Sequence, residues 1–290
     1  MFQLYFDTDE DVTLEWAKKY NAILISMPYA INGEEVFPYK DWEKFDSKGF
    51  YDTLRAGNAN PTTSALSAQE YIEYFEPVLK EGKDILYVHF SREMSATFNS
   101  CDAAIKVLKE KYPERRIELI DTRGITMCSF LSCIQVGELA KQGKSIDEIL
   151  AVADDIIYHN ATYFFADNLK FFARSGRVSG FSAFMGGMIG VKPVIYISNE
   201  GKMVSIDKAI GRKKVIAKLL DYVIKKEDHI KDYPVLIAHA DAWELVHEFE
   251  GMLKAQFGDD LKYEIIDVNP TAGCHCGPDV IGVGFHCKER

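Results

Sequence analysis

The sequence predicts an α/β fold in two lobes, and three observations carry that expectation. Short apolar, β-prone runs alternate with segments of helical period, as in FQLYF (2–6), DVTLEWAKKY (11–20) and AILISM (22–27). Such alternation builds βαβ units and a largely parallel sheet with helices on both faces. Past residue 160 the texture changes: ATYFFAD is followed by two strand-like runs joined by Asn199-Glu200-Gly201, which reads as a hairpin and hence a mixed sheet. Finally, 290 residues exceed the usual single domain, so two units of roughly 100–200 residues with a cleft between them are expected. The expected division is 1–160 for an N-terminal lobe and 161–290 for a C-terminal one.

In the first lobe the alternation resumes with a helix over 67–81, a strand at 84–90, a helix over 95–112 and a strand at 116–121. Ser67-Ala68-Gln69-Glu70 and Ser145-Ile146-Asp147-Glu148 fit the S-x-x-E capping box and mark two helix starts. Between 28 and 60 the pattern weakens, and long loops around one short helix near 46–55 are expected there. The second lobe should hold a short helix at 168–174, the Gly-rich FSAFMGGMIG and strands near 193–198 and 202–207. A helix over 211–226, a strand at 234–239, a helix over 241–257 and a strand at 262–268 complete it. No internal repeat or low-complexity tract occurs.

Composition excludes several classes of function. Hydrophobic residues make up 47% and charged residues 27% of the chain, the balance of a globular protein with a sizeable core. A net charge of -10 argues against nucleic acid as a partner, because binding a phosphate backbone rests on a basic face. The N-terminus lacks a basic segment followed by an apolar stretch, and no run of about 18 apolar residues occurs, so a cytoplasmic protein is expected. Six cysteines without a secretion signal read as buried thiols.

Two hydroxyl clusters precede helices. His89 to Ser100 follows the apolar run Ile85-Leu86-Tyr87-Val88, and Pro61-Thr62-Thr63-Ser64-Ala65-Leu66-Ser67 leads into the helix that Ser67 caps. Helix N-termini at the carboxyl ends of strands leave backbone N–H groups free to face an anion. Ser95 can cap its own helix, whereas Thr63 and Ser64 are spare.

Taken in order, these segments resemble the DegV family of fatty-acid-binding proteins, with its EDD fold. The resemblance covers nearly the whole chain: Asp7-Thr8 after the first strand, Thr63-Ser64, Ser91 to Phe98, Ile120-Asp121-Thr122, Gly176-Arg177-Val178, Lys192-Pro193, and Gly273-Cys274-His275-Cys276-Gly277-Pro278. It implies two α/β lobes that bury a long-chain fatty acid, with the carboxylate between the lobes and the tail in the C-terminal one. Thr63, Ser64, Ser95, Ala96 and His275 would then stand around the head group. The basic cluster of Lys170, Arg174 and Arg177, with Arg212, would dock a fatty acid kinase that phosphorylates the presented carboxylate to an acyl phosphate. The implied protein is a carrier with no cofactor beyond its fatty acid, touching membranes only transiently to collect it. Where the family usually has Gln-Pro, Gly and Thr, this chain has Ala65-Leu66, Ala96 and Cys276, which leaves room for a different hydrophobic ligand.

The implied chemistry is sound. A buried carboxylate is costly without partners, and two hydroxyls, helix N-terminal amides and a histidine able to protonate would stabilise it. The acyl chain supplies affinity at about 0.8 kcal/mol per buried methylene. Phe164, Phe165, Phe171, Phe172, Phe181, Phe184, Met185, Met188 and Ile189 are enough material for a tunnel wall, or for an ordinary core. An alternative is a serine-dependent lipid hydrolase or acyltransferase with Ser95 as nucleophile and His275 as base, although no G-x-S-x-G elbow is present. Cys274, Cys276 and Cys287 with His275 and His286 lack the paired C-x2-C spacing of zinc sites, so no metal is expected. FMGGMIG lacks the Lys-Ser/Thr of a P-loop.

Overall fold

The computed structural model describes residues 2–39, 45–57, 59–179 and 190–290, and its two lobes are each built on a separate sheet. In the first, β1 (Phe2–Asp7) pairs in parallel with β2 (Ile23–Ile25), reached through α1 (Leu14–Lys19). A small hairpin follows, β3 (Tyr29–Ile31) and β4 (Glu34–Val36), closed by the Asn32-Gly33 turn. Next come α2 (Ser47–Arg55) and β5 (Thr62–Thr63), which pairs with β3. The segment 28–60 therefore holds a three-stranded sheet as well as the expected helix; Asn-Gly between apolar runs is the hairpin signal that marks it. After α3 (Ala68–Lys80), β6 (Asp84–His89) pairs with β1, and α4 (Thr97–Lys111) leads to β7 (Ile117–Asp121).

The resulting order β2-β1-β6-β7 is parallel throughout. Right-handed crossovers that run in opposite directions from β1 and β6 put α1 and α4 on opposite faces. Alternate side chains of β1 show it: Tyr5 meets Phe75 of α3 and Phe6 meets Tyr20 beside α1, both edge-on. Ser67 and Ser145 cap α3 and α6 (Ile146–Tyr158) as expected, accepting from Glu70 and Glu148 N–H at 3.2 and 3.3 Å while each Glu reaches back.

The second sheet is mixed. β8 (Asn160–Ala166) lies centrally; α7 (Leu169–Ser175) and β9 (Val178–Ser179) lead on to the hairpin β10 (Val191–Ile197) and β11 (Met203–Ile210). α8 (Arg212–Lys226), β12 (Val235–His239), α9 (Trp243–Phe257) and β13 (Tyr263–Asp267) follow. α10 (Pro270–Cys276) and β14 (Val280–His286), neither evident from the sequence pattern, close the chain. The strand order is β13-β12-β14-β8-β10-β11-β9.

α5 (Met127–Lys141) packs between the two sheets, against β1 on one side and β8 and β14 on the other, so Met127 to Ile134 are all buried. One apolar core consequently runs from Leu4 and Phe130 through to Ile195, Leu236 and Val280, while a second cluster around Phe165 and Phe249 lies beneath α8 and α9. Ser91 Oγ donates to Gly201 O at the tip of the β10–β11 hairpin (2.9 Å), and Arg55 pairs with Asp241 (2.6 Å) and Asp279 (3.1 Å), tying the lobes at their rims. All six cysteines are buried free thiols. No described helix is long and apolar enough to cross a membrane.

Candidate functional site

Connections leave β1 towards β2 on one side and β6 towards β7 on the other, so the carboxyl ends of β1 and β6 flank a topological switch point, where open α/β sheets bind ligands. The turn Thr8–Glu10 follows β1 there, and Phe90 to Ser95 follows β6. Above them is a narrow, largely apolar cavity of about 80 Å³. Met27, Phe90 and Met127 line it from the first lobe and Phe164, Phe172 and Met203 from the second. The apolar wall of this cavity is thus shared between the lobes. Phe165 and Phe171 do not line it; Phe181, Phe184, Met185, Met188 and Ile189 lie outside the described residues.

Thr63, Ser95, Arg177 and His275 stand on the polar rim. Thr63 Oγ1 lies 3.0 Å from His275 Nε2. Ser95 Oγ accepts from Thr97 N–H at 3.2 Å at the start of α4, which uses a lone pair and leaves the O–H to donate. Thr63, Ser64, Ser95 and Arg177 also border an open depression on the outer surface, together with Arg92 and Asn99. The rim therefore separates an apolar interior from solvent.

His275 is placed by the way α10 is seated. Asn269 caps α10 by accepting from Ala272 N–H (2.9 Å), and its own N–H and Nδ2 donate to Asp11 Oδ1 at 2.8 and 2.7 Å. Thr271 Oγ1 donates to Met27 O (3.0 Å) and Tyr51 OH to Val268 O (2.8 Å). Gly273 makes this fit: a Cβ there would come within 2.7 Å of Tyr51 Oη and 2.9 Å of Phe50 Cε1. Burial, reinforced by the positive charges of Arg177 and Arg174, lowers the His275 pKa to about 4, so its ring is neutral at neutral pH in the ligand-free protein.

Beneath the rim lies a feature that the sequence reading passed over. Asp7, Asp9, Glu10 and Asp11 are all buried. Asp7 accepts from Tyr87 OH (2.9 Å) and Asp9 N–H (2.9 Å), and Glu10 accepts from Asp7 N–H (3.0 Å). Burial raises all four pKa values, that of Asp7 to about 7 and that of Asp11 to about 8. The run Asp7-Thr-Asp-Glu-Asp11 at a strand end was the available signal, since an acidic run there is unusual for a turn packed into a core.

The remaining expected residues are placed differently from the rim set. Ser64 is exposed and donates to Glu35 (2.5 Å); Ala96 is exposed at the N-cap of α4. Arg174 is a strut, donating to Asn60 Oδ1 (3.0 Å), Pro61 O (3.2 Å) and Cys274 O (3.3 Å), which joins α7 to the segment before β5 and to α10. Arg212 pairs with Asp167 (3.0 Å), which also holds Lys192 (2.6 Å). Arg177, by contrast, reaches the rim. Among the described residues no group of His, Cys, Asp and Glu is arranged to hold a metal ion.

The model of the DegV family, described as an uncharacterised protein family, matches residues 1–288. A DegV domain-containing protein of Clostridium perfringens is 30% identical over 285 residues, covering 98% of this chain and 97% of its own. Two solved structures share the fold at low identity. One, described as showing fatty acid binding of a DegV family protein from Thermus thermophilus, has a TM-score of 0.86 and 21% identity, with 99% of each chain covered. The other, a stearic acid-binding protein from Eubacterium ventriosum, has a TM-score of 0.85 and 20% identity, again with 99% of each chain covered.

Proposed function

Because the chain belongs to the DegV family, we propose that it is a carrier for one long-chain fatty acid, holding the tail in the apolar cavity and the carboxylate at the rim. One observation carries this reading above the rest: the same side chains, Thr63, Ser95 and Arg177, border both the cavity and the outer depression. A head group held there is shielded from the core yet open to another protein. The Thr63 and Ser95 hydroxyls donate to the carboxylate, Arg177 supplies charge, and His275 gains a proton as the anion arrives. That the structural relatives include proteins described as binding fatty acids, stearic acid among them, supports the choice of ligand.

The carrier reading extends to a partner. The exposed carboxylate suits phosphorylation by a separate ATP-dependent fatty acid kinase in the cytoplasm, docked over the outer depression with Arg177 at its centre and Arg174 and Arg212 at its edges. The lobe division at 160 belongs to the same proposal: β8 starts the second sheet at Asn160. A serine hydrolase finds no support, since His275 pairs with Thr63 and no carboxylate among the described residues pairs with His275.

Native and denaturing mass spectrometry of the protein from a heterologous host tests the carrier function. A mass excess that vanishes on denaturation and extracts as a long-chain fatty acid is the expected result. An excess that survives denaturation would identify an acyl-enzyme and overturn it. ATP-dependent acyl phosphate formation by an added fatty acid kinase, only when the loaded chain is present, tests the partner.

A further inference from the structure

By chain order α2 belongs to the first lobe, yet it fastens to the second. Its residues Ser47, Tyr51 and Arg55 recur at intervals of four and so share one face, and each bonds across the boundary. Ser47 Oγ donates to Asp267 Oδ1 (3.0 Å) at the end of β13, and Tyr51 OH to Val268 O (2.8 Å). Arg55 donates to Asp241 Oδ2 (2.6 Å) and Asp241 O (2.7 Å) beyond β12, and to Asp279 Oδ1 (3.1 Å) ahead of β14. These acceptors are fixed to the second sheet, since Asp279 N–H donates to Ala240 O (2.9 Å) and Ala240 N–H to Val280 O (3.0 Å).

α10 is covered by this helix. It runs between Val268 and Asp279, the two flanks that α2 holds, and its Gly273 is pressed against Phe50 and Tyr51. Thr271, Ala272, His275 and Cys276, on the rest of α10, line the cavity. The cavity is braced from behind as a result, and α10 cannot retreat while α2 stays down. Retreat is what a long acyl chain needs, because about 80 Å³ falls short of the roughly 300–1,000 Å³ of ligand pockets. Phe164 and Val280, on other walls, sit in paired strands of the second sheet, which leaves the seven-residue α10 as the part that yields.

The grip of α2 is uneven along its length. Tyr51 is fully buried, whereas the side chains of Arg55 and Asp279 each keep 31% of their surface exposed. Arg55 also pairs with Asp52 of its own helix (2.9 Å), so letting go of Asp241 and Asp279 strands no charge. The Arg55 end is therefore the one that opens.

We propose that α2 is a strap across α10 and that Arg55 is its fastener, so that a fatty acid loads as the Arg55 end lifts and α10 backs away from the cavity. This rests on the fatty-acid reading of the same cavity. Arg55 acts through α10 and touches no ligand, which makes it a positioning residue.

Stopped-flow mixing of the delipidated full chain with cis-parinaric acid, a fluorescent fatty acid, reads the association rate. Arg55→Gln should load about fivefold faster, the upper scale of one ion pair near the surface, with a Kd no higher than that of the wild type. Asp279→Asn keeps a neutral acceptor on a left-handed backbone (φ 61°) that asparagine tolerates, and should shift the rate the same way by less. Hydrogen exchange in Arg55→Gln should quicken at the amides of α10 and stay unchanged in β6. Folded variants that load no faster, bind more weakly or exchange faster throughout overturn the inference and leave fatty-acid binding intact, since a brace that merely held His275 in place would weaken binding when lost. A wild type that takes up no cis-parinaric acid would overturn both readings.

Discussion

Thr63 Oγ1 and His275 Nε2, 3.0 Å apart, join the edge strand of the smallest sheet to the last helix of the chain across 212 residues of sequence. In the ligand-free protein they satisfy each other, so a carboxylate arriving at the rim exchanges one hydrogen bond for a charge-assisted one.

Thr63→Ala and Ser95→Ala should each weaken fatty-acid binding by about five- to tenfold, the scale of one hydrogen bond to a charged acceptor. Melting temperature should barely move, because neither hydroxyl is fully buried. Fluorescent fatty-acid displacement and thermal melts check both; unchanged affinity in both variants would sink the site assignment.

His275 should titrate near 4 in the free protein and higher once loaded, because a nearby anion favours the imidazolium. Binding then takes up a proton, and affinity rises as pH falls through the bound-state pKa towards 4. Histidine ring resonances followed by NMR with and without ligand report both values; coincident titrations would remove His275 from the head-group site.

Asp11 keeps its proton up to about pH 8 when folded, owing to burial first and to the charge of Asp267 last, whereas its ordinary value is 3.8. The unfolded chain releases that proton earlier, so this group's stabilising contribution is complete below about pH 4 and is lost as pH rises towards 8. Asp11→Asn keeps an oxygen to accept from Asn269 and carries no charge. It should match the wild type near pH 4 and exceed it at pH 8 by on the order of 3–5 kcal/mol, read from urea midpoints.

Gly273→Ala should cost about 1–3 kcal/mol, because its Cβ meets Tyr51 Oη at 2.7 Å and α10 must shift. His275 moves with the helix, so affinity should fall with stability, unlike the two hydroxyl variants. A crystal structure of the variant with α10 unmoved would refute this.

Arg174→Ala and Arg177→Ala should separate structure from function. Arg174 holds three acceptors on two other segments, and its loss should lower the melting temperature. Arg177 lines the rim, and its loss should leave melting unchanged while weakening fatty-acid binding and kinase-dependent acyl phosphate formation.

The elements that were legible in the sequence are those with one wet face. α3 and α6 carry capping boxes and amphipathic stripes because they lie on the outside, and their starts fall where Ser67 and Ser145 indicate. α5 has no such stripe: it is covered by a sheet on each side, and a helix buried all round loses its periodic signal. β14 carries a weak strand signal because Gly282 and Gly284 interrupt its apolar run. A Cβ at Gly282 would come within 2.6 Å of Met127 Cε, so the glycines record the close approach of α5. At the proposed site, Thr63, Ser95 and His275 were singled out through their motifs, and the fold brings all three to one cavity.

On the proposed reading, the position of the rim also implies an order of events. With the carboxylate held at Thr63 and Ser95, a fatty acid would enter methyl end first and leave head first, so the last contact made would be the first broken. Chain length would then be gauged as a depth gauge works, by whether the head group comes to rest level with the rim.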